Sequence, residues 1–482
     1  MKIAIYSNEL NKLRIQTEIA SLYRLGVPNI DLKFVDRDKC TDADIVVIDF
    51  DYINEFCNEY SVLNEKKILL FLDGFIFDPF DMDSNKRIEH ELIAKKHWRL
   101  LRRINDAKIF LSYMKKDIVL NTMPNYLQLE MTSFCNARCI MCPHIYQGNK
   151  HAEHLPMKNF GKIKEILPYI EVAVLHGNGE PFMNPYIEDY LNIYKSYDIQ
   201  VSACTNLSIF NDRLACLVNE SFSDLRISCD ACERETYESI RKGLSFDQLI
   251  KNLKILKKYC HKVHKVFTFV IMRQNISQIS GMVEFAHNFG INEIIYSNMI
   301  PSIALENEND SPIYYEEFVN RELHKADVLA KRYGVKIIYP RNYNKNNSDL
   351  VIVNPIREDF KSQEMLEQQI QKIEEITNNE KTKIEKFVSN YVGYKKILGS
   401  GICDWLIEKI YIDVEGNACI CCINSTKSLG NIYQEQFQNI WNGSVIQDIR
   451  KHCYENYLPT FCQNCQFVLN NSLKYLKLKG ES

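Results

Sequence analysis

The sequence predicts an α/β protein. It has an N-terminal doubly wound α/β domain over residues 1–120, a central set of βα units over 121–312, a connector with charged helices over 313–398, and a small cysteine-rich module over 399–482. Three observations predict this. Short runs rich in Ile, Val, Leu and Phe alternate with amphipathic stretches of helical period along the first 300 residues. A length of 482 residues is too great for one ordinary domain. The cysteines gather at two distant places, near residue 140 and beyond residue 400.

In chain order, 2–7 reads as a strand, 10–25 as an amphipathic helix, 31–35, 43–49 and 67–72 as further strands, and 85–105 as a charged helix. Such alternation implies a parallel, doubly wound sheet. A flavodoxin-like arrangement is one option. However, Ser7-Asn8-Glu9-Leu10-Asn11 carries no Gly-rich or Ser/Thr-rich phosphate loop, and no dinucleotide fingerprint follows. This domain therefore reads as a docking or substrate-recognition unit without chemistry. From residue 126 the strands are 127–131, 171–175, 200–204, 225–229, 266–272 and 293–298, with helices such as 246–259 and 277–289 between them. That makes six βα units. Residues 313–334 read as a helix and 335–339 as a strand. The stretch 364–386 is rich in Glu, Lys and Gln, a solvated helix or connector.

Composition narrows the class. The chain is 46% hydrophobic and 25% charged, as an ordinary soluble globular protein is. A net charge of −3 gives no broad basic footprint for nucleic acid. No secretory h-region and no membrane-spanning apolar run is present, so the cytoplasm is the expected compartment, with no membrane partner. Seventeen cysteines in a reducing compartment point to metal or catalysis rather than disulfides.

Cys135, Cys139 and Cys142 stand in the run Glu130-Met-Thr-Ser-Phe-Cys-Asn-Ala-Arg-Cys-Ile-Met-Cys-Pro143, spaced C-x3-C-x2-C. A [4Fe–4S] cluster is normally held by four thiolates, so three leave one iron open to a substrate or cofactor. This loop resembles that of the radical S-adenosylmethionine (SAM) enzymes. The resemblance implies an open (β/α)6 partial TIM barrel. It also implies a cluster whose open iron chelates the amino and carboxylate groups of SAM, and reductive cleavage of SAM to methionine and a 5′-deoxyadenosyl radical. The electron would come from a donor such as flavodoxin or ferredoxin. His176-Gly-Asn-Gly-Glu-Pro181 resembles the family's Gly-Gly-Glu-Pro element, with Asn178 in place of the first glycine. By that resemblance Gly179, Glu180 and Pro181 hold the SAM amino group, Asn206 and Ser228 lie near its ribose, and Arg241 lies near its carboxylate. Met141 stands where the family usually has an aromatic, and the resemblance implies that it packs on adenine; Met272 and Tyr296 are further candidates for that contact, with a core role as the competing reading.

The C-terminal cysteines, Cys403, Cys421, Cys422 and Cys462-Gln-Asn-Cys465, resemble the SPASM/twitch extension of the same enzymes, which binds auxiliary iron–sulfur clusters. C-x2-C opposite a distant pair is also zinc-ribbon spacing. No cysteine follows Cys465, so the expectation is one auxiliary [4Fe–4S] cluster on Cys403, Cys421, Cys462 and Cys465, with Cys422 able to replace Cys421. Cys419 and Cys453 are spare.

The function these readings imply is hydrogen abstraction from a polar small-molecule or carbohydrate-like substrate, ending in oxidation or epimerisation with help from the auxiliary cluster. Maturation of a ribosomally made peptide is the alternative. A non-enzymatic electron carrier is a third reading, against which the three-cysteine loop argues. An epimerase needs a hydrogen donor, and Cys204, Cys229 and Cys232, at or just after predicted strand ends, are the candidates.

Overall fold

A computed structural model gives the fold. The residues it describes are 2–6, 31–34, 45–49, 67–72, 75–77, 82–142, 153–299, 310–340, 350–353, 403–421 and 428–455. Strands β1 (Lys2–Tyr6), β2 (Asp31–Phe34), β3 (Ile45–Asp49), β4 (Lys67–Leu72) and β5 (Phe75–Phe77) form one sheet in the order β2-β1-β3-β4-β5. The first four run parallel and β5 antiparallel. This is the doubly wound order that reverses between β1 and β3. The segments expected as the phosphate-loop position and the 10–25 helix lie outside the described residues.

Helices Met82–Ala94 and Trp98–Lys115 follow. The second docks through Arg102, which donates to the carbonyls of Tyr197 and Asp198. The larger sheet contains β6 (Tyr126–Leu129), β8 (Val172–Val174), β9 (Gln200–Thr205), β10 (Phe222–Ser228), β12 (His264–Ile271) and β13 (Glu293–Asn298) as neighbours in sequence order, all parallel. These are the six expected strands of the partial barrel. Two short strands, β7 (Arg138–Cys139) and β11 (Arg241–Lys242), pair separately.

The sheet extends past the sixth strand on one side. There β14 (Lys336–Pro340) joins β13 in parallel and β15 (Leu350–Val353) closes that edge antiparallel. On the other side β16 (Lys409–Ile412) adds parallel to β6, followed by antiparallel β17 (Asn417–Cys419) and β18 (Ser428–Asn431). The C-terminal module thus continues the main sheet. Buried Arg450 fastens it by donating to the carbonyls of Leu406 and Ile118.

Period-2 alternation sorts the two faces of the sheet. On β10, Leu225 and Ile227 enter the main core beneath the helices, whereas Asp224, Arg226 and Ser228 take the other face. Register carries that face across the strands: Arg226 pairs with Cys204, Asp224 with Ser202, Ser202 with Val174, and Val174 with Gln128. The helix-covered face is apolar and closed. The opposite face is polar, and both cysteine sites adjoin it.

Candidate active site

The three-cysteine loop leaves β6 and is stitched in place by β7 against β11, where Cys139 pairs with Arg241, and by Ile140 N–H donating to Ile240 O at 3.0 Å. Cys135 and Cys142 are half-buried and Cys139 is buried. Burial pushes the Cys135 thiol up to about 11. The Ala137 N–H opposes that, and Glu180 and the other two thiols add to it. Three thiolates held this close call for a positive centre. Part of that charge is built in, since Arg241 Nη1 lies 3.5 Å from Cys139 Sγ while its Nη2 pairs with buried Asp230 at 2.6 Å. Among the described residues no three His, Cys, Asp or Glu side chains converge as ligands of a single ion would. A cubane does not require that, because each thiolate takes a different iron. The residues therefore fit a [4Fe–4S] cluster held by Cys135, Cys139 and Cys142.

The 176–181 segment crosses behind this loop at very close range. A Cβ on Gly179 would lie 2.1 Å from Thr132 O and 2.6 Å from Phe134 O, so only glycine fits. The next residue locks the crossing, as Glu180 N–H donates to Phe134 O at 2.8 Å. The Glu180 side chain is 2% exposed and turns towards the end of β9. It accepts from Thr205 Oγ1 at 2.6 Å, Phe182 N at 3.3 Å and Asn206 N at 2.7 Å. A carboxylate has about four lone-pair positions, and the protein takes three of them. Glu180 therefore orders the segment more than it presents a free acceptor to an ammonium group. Burial raises its pKa to about 7 against the Thr205, Asn206 and Phe182 hydrogen bonds and the Arg241 charge. Glu180→Gln is expected to leave one of these donors facing an amide NH2. That should cost about 1–3 kcal/mol of stability and weaken SAM binding, with the iron retained. Denaturant unfolding beside a SAM titration checks both, and unchanged SAM affinity would remove Glu180 from the site.

Asn206 extends the network. Its Nδ2 donates to Asn136 Oδ1 on the cysteine loop at 3.0 Å, and its Oδ1 accepts from Ser208 N. Ser228 is half-buried on the polar face, in register with Thr268. Met141 packs with Met272, Met299 and Ile240 in a small apolar patch beside the loop, a suitable wall for an aromatic base. Tyr296 lies on the other side of β13, in the core against Phe269, with its hydroxyl donating to Ile279 O, so it does not reach this patch. Arg241, expected near a carboxylate, is committed to Asp230 and Cys139, although among the described residues its buried Nε has no acceptor.

The three candidate hydrogen donors separate by face. Cys204 is half-buried on the polar face opposite Arg226. Burial pushes its thiol up to about 11 despite the Arg226 charge, so it is a neutral S–H. Cys229 has no exposure, belongs to the apolar core and donates to Ala231 O. Cys232 packs against Gln278 and Gly281 beneath the helix Gly281–Phe289. The last two do not face the site. For Cys229 the reason is that odd and even residues leave a strand on opposite sides, whereas Cys232 lies past the end of β10.

Sequence reading also missed Glu130. This buried acid at the end of β6 accepts from Asn178 N at 2.6 Å with one oxygen and from Val414 N at 3.2 Å with the other. It ties the 176–181 segment to the C-terminal module. The signal was an acid directly after the first barrel strand. In that module Cys403 and Cys421 pack around Trp405, Tyr411 and Cys419, against Tyr126 of β6. Cys419, expected to be spare, lies in the same group. Cys453 is buried in the main core, as a packing residue. Cys422, Cys462 and Cys465 lie outside the described residues, so the complete auxiliary ligand set stays an expectation.

Residues 129–286 match the radical SAM superfamily, and residues 403–466 match the SPASM iron–sulfur cluster-binding domain. The chain is 24% identical over 228 residues to the molybdenum cofactor biosynthesis protein moc-5 of Caenorhabditis elegans, an alignment covering 44% of this chain and 35% of that one. It is 22% identical over 232 residues to GTP 3′,8-cyclase of Clostridium botulinum, covering 46% and 72%. Among solved structures it resembles Streptococcus suis SuiB bound to S-adenosylmethionine, with a TM-score of 0.49 and 13% identity over 75% of this chain and 82% of that one. The two matched domains carry the two cysteine sites and imply SAM and [4Fe–4S] clusters as cofactors. The chain carries a radical SAM superfamily domain over residues 129–286 and a SPASM iron–sulfur cluster-binding domain over residues 403–466.

Proposed function

We propose that this enzyme abstracts a hydrogen atom from a polar, carbohydrate-like small molecule and oxidises or epimerises it. The observation that carries this reading is the polar face of the sheet between the two cysteine sites. It presents Gln128 from β6, Ser202 and Cys204 from β9, and Asp224, Arg226 and Ser228 from β10. Bound SAM, with the cluster on Cys135, Cys139 and Cys142 and one electron from a flavodoxin or ferredoxin, supplies a hydrogen-abstracting radical. The chain's own residues orient the reactants. Gly179 and Glu180 fix the segment that meets SAM, Met141 and Met272 offer an apolar wall, and the polar face aligns hydroxyl groups of the substrate. Cys403 and Cys421, which pack against Tyr126 at the edge of that face, would be among the residues that hold an auxiliary cluster, and that cluster would supply electron transfer.

Cys204 decides between the two outcomes. If the reaction epimerises, its thiol gives a hydrogen atom to the substrate radical and becomes a thiyl radical, which one electron from the flavodoxin or ferredoxin and one solvent proton would return to the thiol. Cys204→Ala is then expected to form 5′-deoxyadenosine at a near-normal rate while losing epimerised product and solvent deuterium in that product. If Cys204→Ala keeps full product formation, oxidation through the auxiliary cluster is the reading that stands. Cys229→Ala is expected to lower stability, by about 1 kcal/mol for a small buried side chain, without changing the product.

A peptide substrate is the second reading, since residues 226–243 resemble segments of both peptide-modifying and metabolite-modifying radical SAM enzymes. Anaerobic SAM cleavage, measured with sugar-like metabolites and with peptides, separates the two. Stimulation by peptides alone would overturn the small-molecule reading. No SAM cleavage under any condition would leave an electron carrier.

A further inference from the structure

We infer that Arg226 anchors the substrate by an oxyanion, so that the substrate is an acidic metabolite bearing a carboxylate or phosphate group. This deepens the proposed function and rests on it. Arg226 stands in the middle of β10, a central strand of the sheet, where neighbouring residues are buried. Its side chain is nevertheless 47% exposed. Its strand neighbours Leu225 and Ile227 fill the helix-covered core, so that exposure is towards the polar face.

The guanidinium is only partly used. Nε reaches Asp224 Oδ1 at 3.3 Å, and among the described residues neither Nη atom has a hydrogen-bond partner. Asp224 is itself engaged, accepting from Ser202 Oγ at 2.8 Å with the same oxygen. The pair leaves the planar Nη edge of Arg226 open. That edge matches an oxyanion bidentately, in a way an ammonium does not.

The flanking groups suit such a ligand. Cys204 pairs with Arg226 across β9. His176 lies two residues past Val174, which pairs with Ser202, and so continues the same row at the end of β8. Among the described residues its buried Nδ1 has no hydrogen-bond partner. Burial and the Arg226 charge hold the imidazole down at about 4, with Asp224 opposing, so it is neutral. The row thus offers one cation, one neutral ring nitrogen and one neutral thiol. Among the described residues no carboxylate other than the Asp224 already bound to Arg226 lies in that row, and Glu180, which acts on Cys204, is buried and turned to Thr205 and Asn206.

The test uses the SAM-loaded holoenzyme and two probes, inorganic phosphate and malonate, at constant ionic strength with chloride as the control. Saturable thermal stabilisation is expected with at least one probe and none with chloride; whichever probe binds more tightly identifies the acid group. Arg226→Gln is expected to weaken that binding at least about tenfold, some 1.4 kcal/mol. Arg226→Lys, which keeps the charge but not the fork, should fall between the two. Iron content and circular dichroism verify that each variant is folded. Equal probe binding by wild type and Arg226→Gln, or no saturable effect in wild type, overturns the inference. So does a matching loss of SAM affinity, which would assign Arg226 to the SAM carboxylate. Because probe binding is read without turnover, its failure is distinct from failure of the proposed hydrogen abstraction, which SAM cleavage reports.

Discussion

Anaerobically reconstituted enzyme is expected to hold about eight irons, as two [4Fe–4S] clusters, and replacing Cys135, Cys139 and Cys142 together by Ala should leave about half. The reason is the separation of the ligand sets. The first three cysteines lie on one segment that follows β6 and includes β7, while Cys403 and Cys421 lie around Trp405 and Tyr411 in the module that begins beyond residue 400. The triple variant should lose all SAM cleavage, because its remaining cluster has no open iron. It should remain folded: the loop's backbone is held by the β7–β11 pairing, by Glu180 N–H on Phe134 O and by the Asn206–Asn136 hydrogen bond, none of which uses a cysteine side chain. Arg241 will retain Asp230 as its partner. Iron and sulfide analysis with spectroscopy of the reduced protein checks this. One zinc with about four irons would show that the C-terminal set is a zinc site.

Much of this organisation was legible because the signals were local. Strand residues 200–204 and 293–298 follow apolar runs and fall within a residue or so of β9 and β13. The three-cysteine loop and the Gly-Glu-Pro turn have short, dense spacings, and both fall where parallel strands end. What was not legible depended on direction and on distant pairing. Whether Cys204 or Cys229 faces the site turns on one residue of register, which composition does not carry. The bond from Glu130 to Val414 spans 284 positions, so no local pattern reports it. Glu180 was assigned to a ligand because its chemistry permits that, whereas Thr205, Phe182 and Asn206 occupy most of its acceptor capacity. The placement of β16 beside β6, which makes the C-terminal module part of the main sheet, could not be read from a cysteine count.

Gly179→Ala is expected to abolish SAM-dependent turnover and to lower SAM affinity at least about tenfold. The added methyl would meet backbone oxygens, Thr132 O at 2.1 Å and Phe134 O at 2.6 Å, rather than a side chain able to swing away. Those carbonyls cannot retreat cheaply. Ser133 N–H donates to Glu153 O at 3.0 Å on the far side, and Phe134 O is the acceptor for Glu180 N–H. Relief must come from moving the 176–181 segment, which breaks that hydrogen bond and draws Glu180 away from Thr205 and Asn206. Overpacking of this kind typically costs about 1–3 kcal/mol, so the variant should fold while its SAM site is misplaced. Gly177→Ala makes a useful contrast. Its methyl would meet the Glu130 side chain at 2.6 Å, which is flexible but engaged with Asn178 and Val414. The expected loss in SAM affinity is smaller, about threefold or less, with a drop in the thermal stability of the C-terminal module. Gly161→Ala, with nothing within 4 Å of its Cβ, should change neither and controls for the substitution itself. SAM titrations and iron content of the three variants give the ordering. If Gly179→Ala binds SAM as tightly as Gly161→Ala does, the close crossing behind the cysteine loop is not what positions the cofactor.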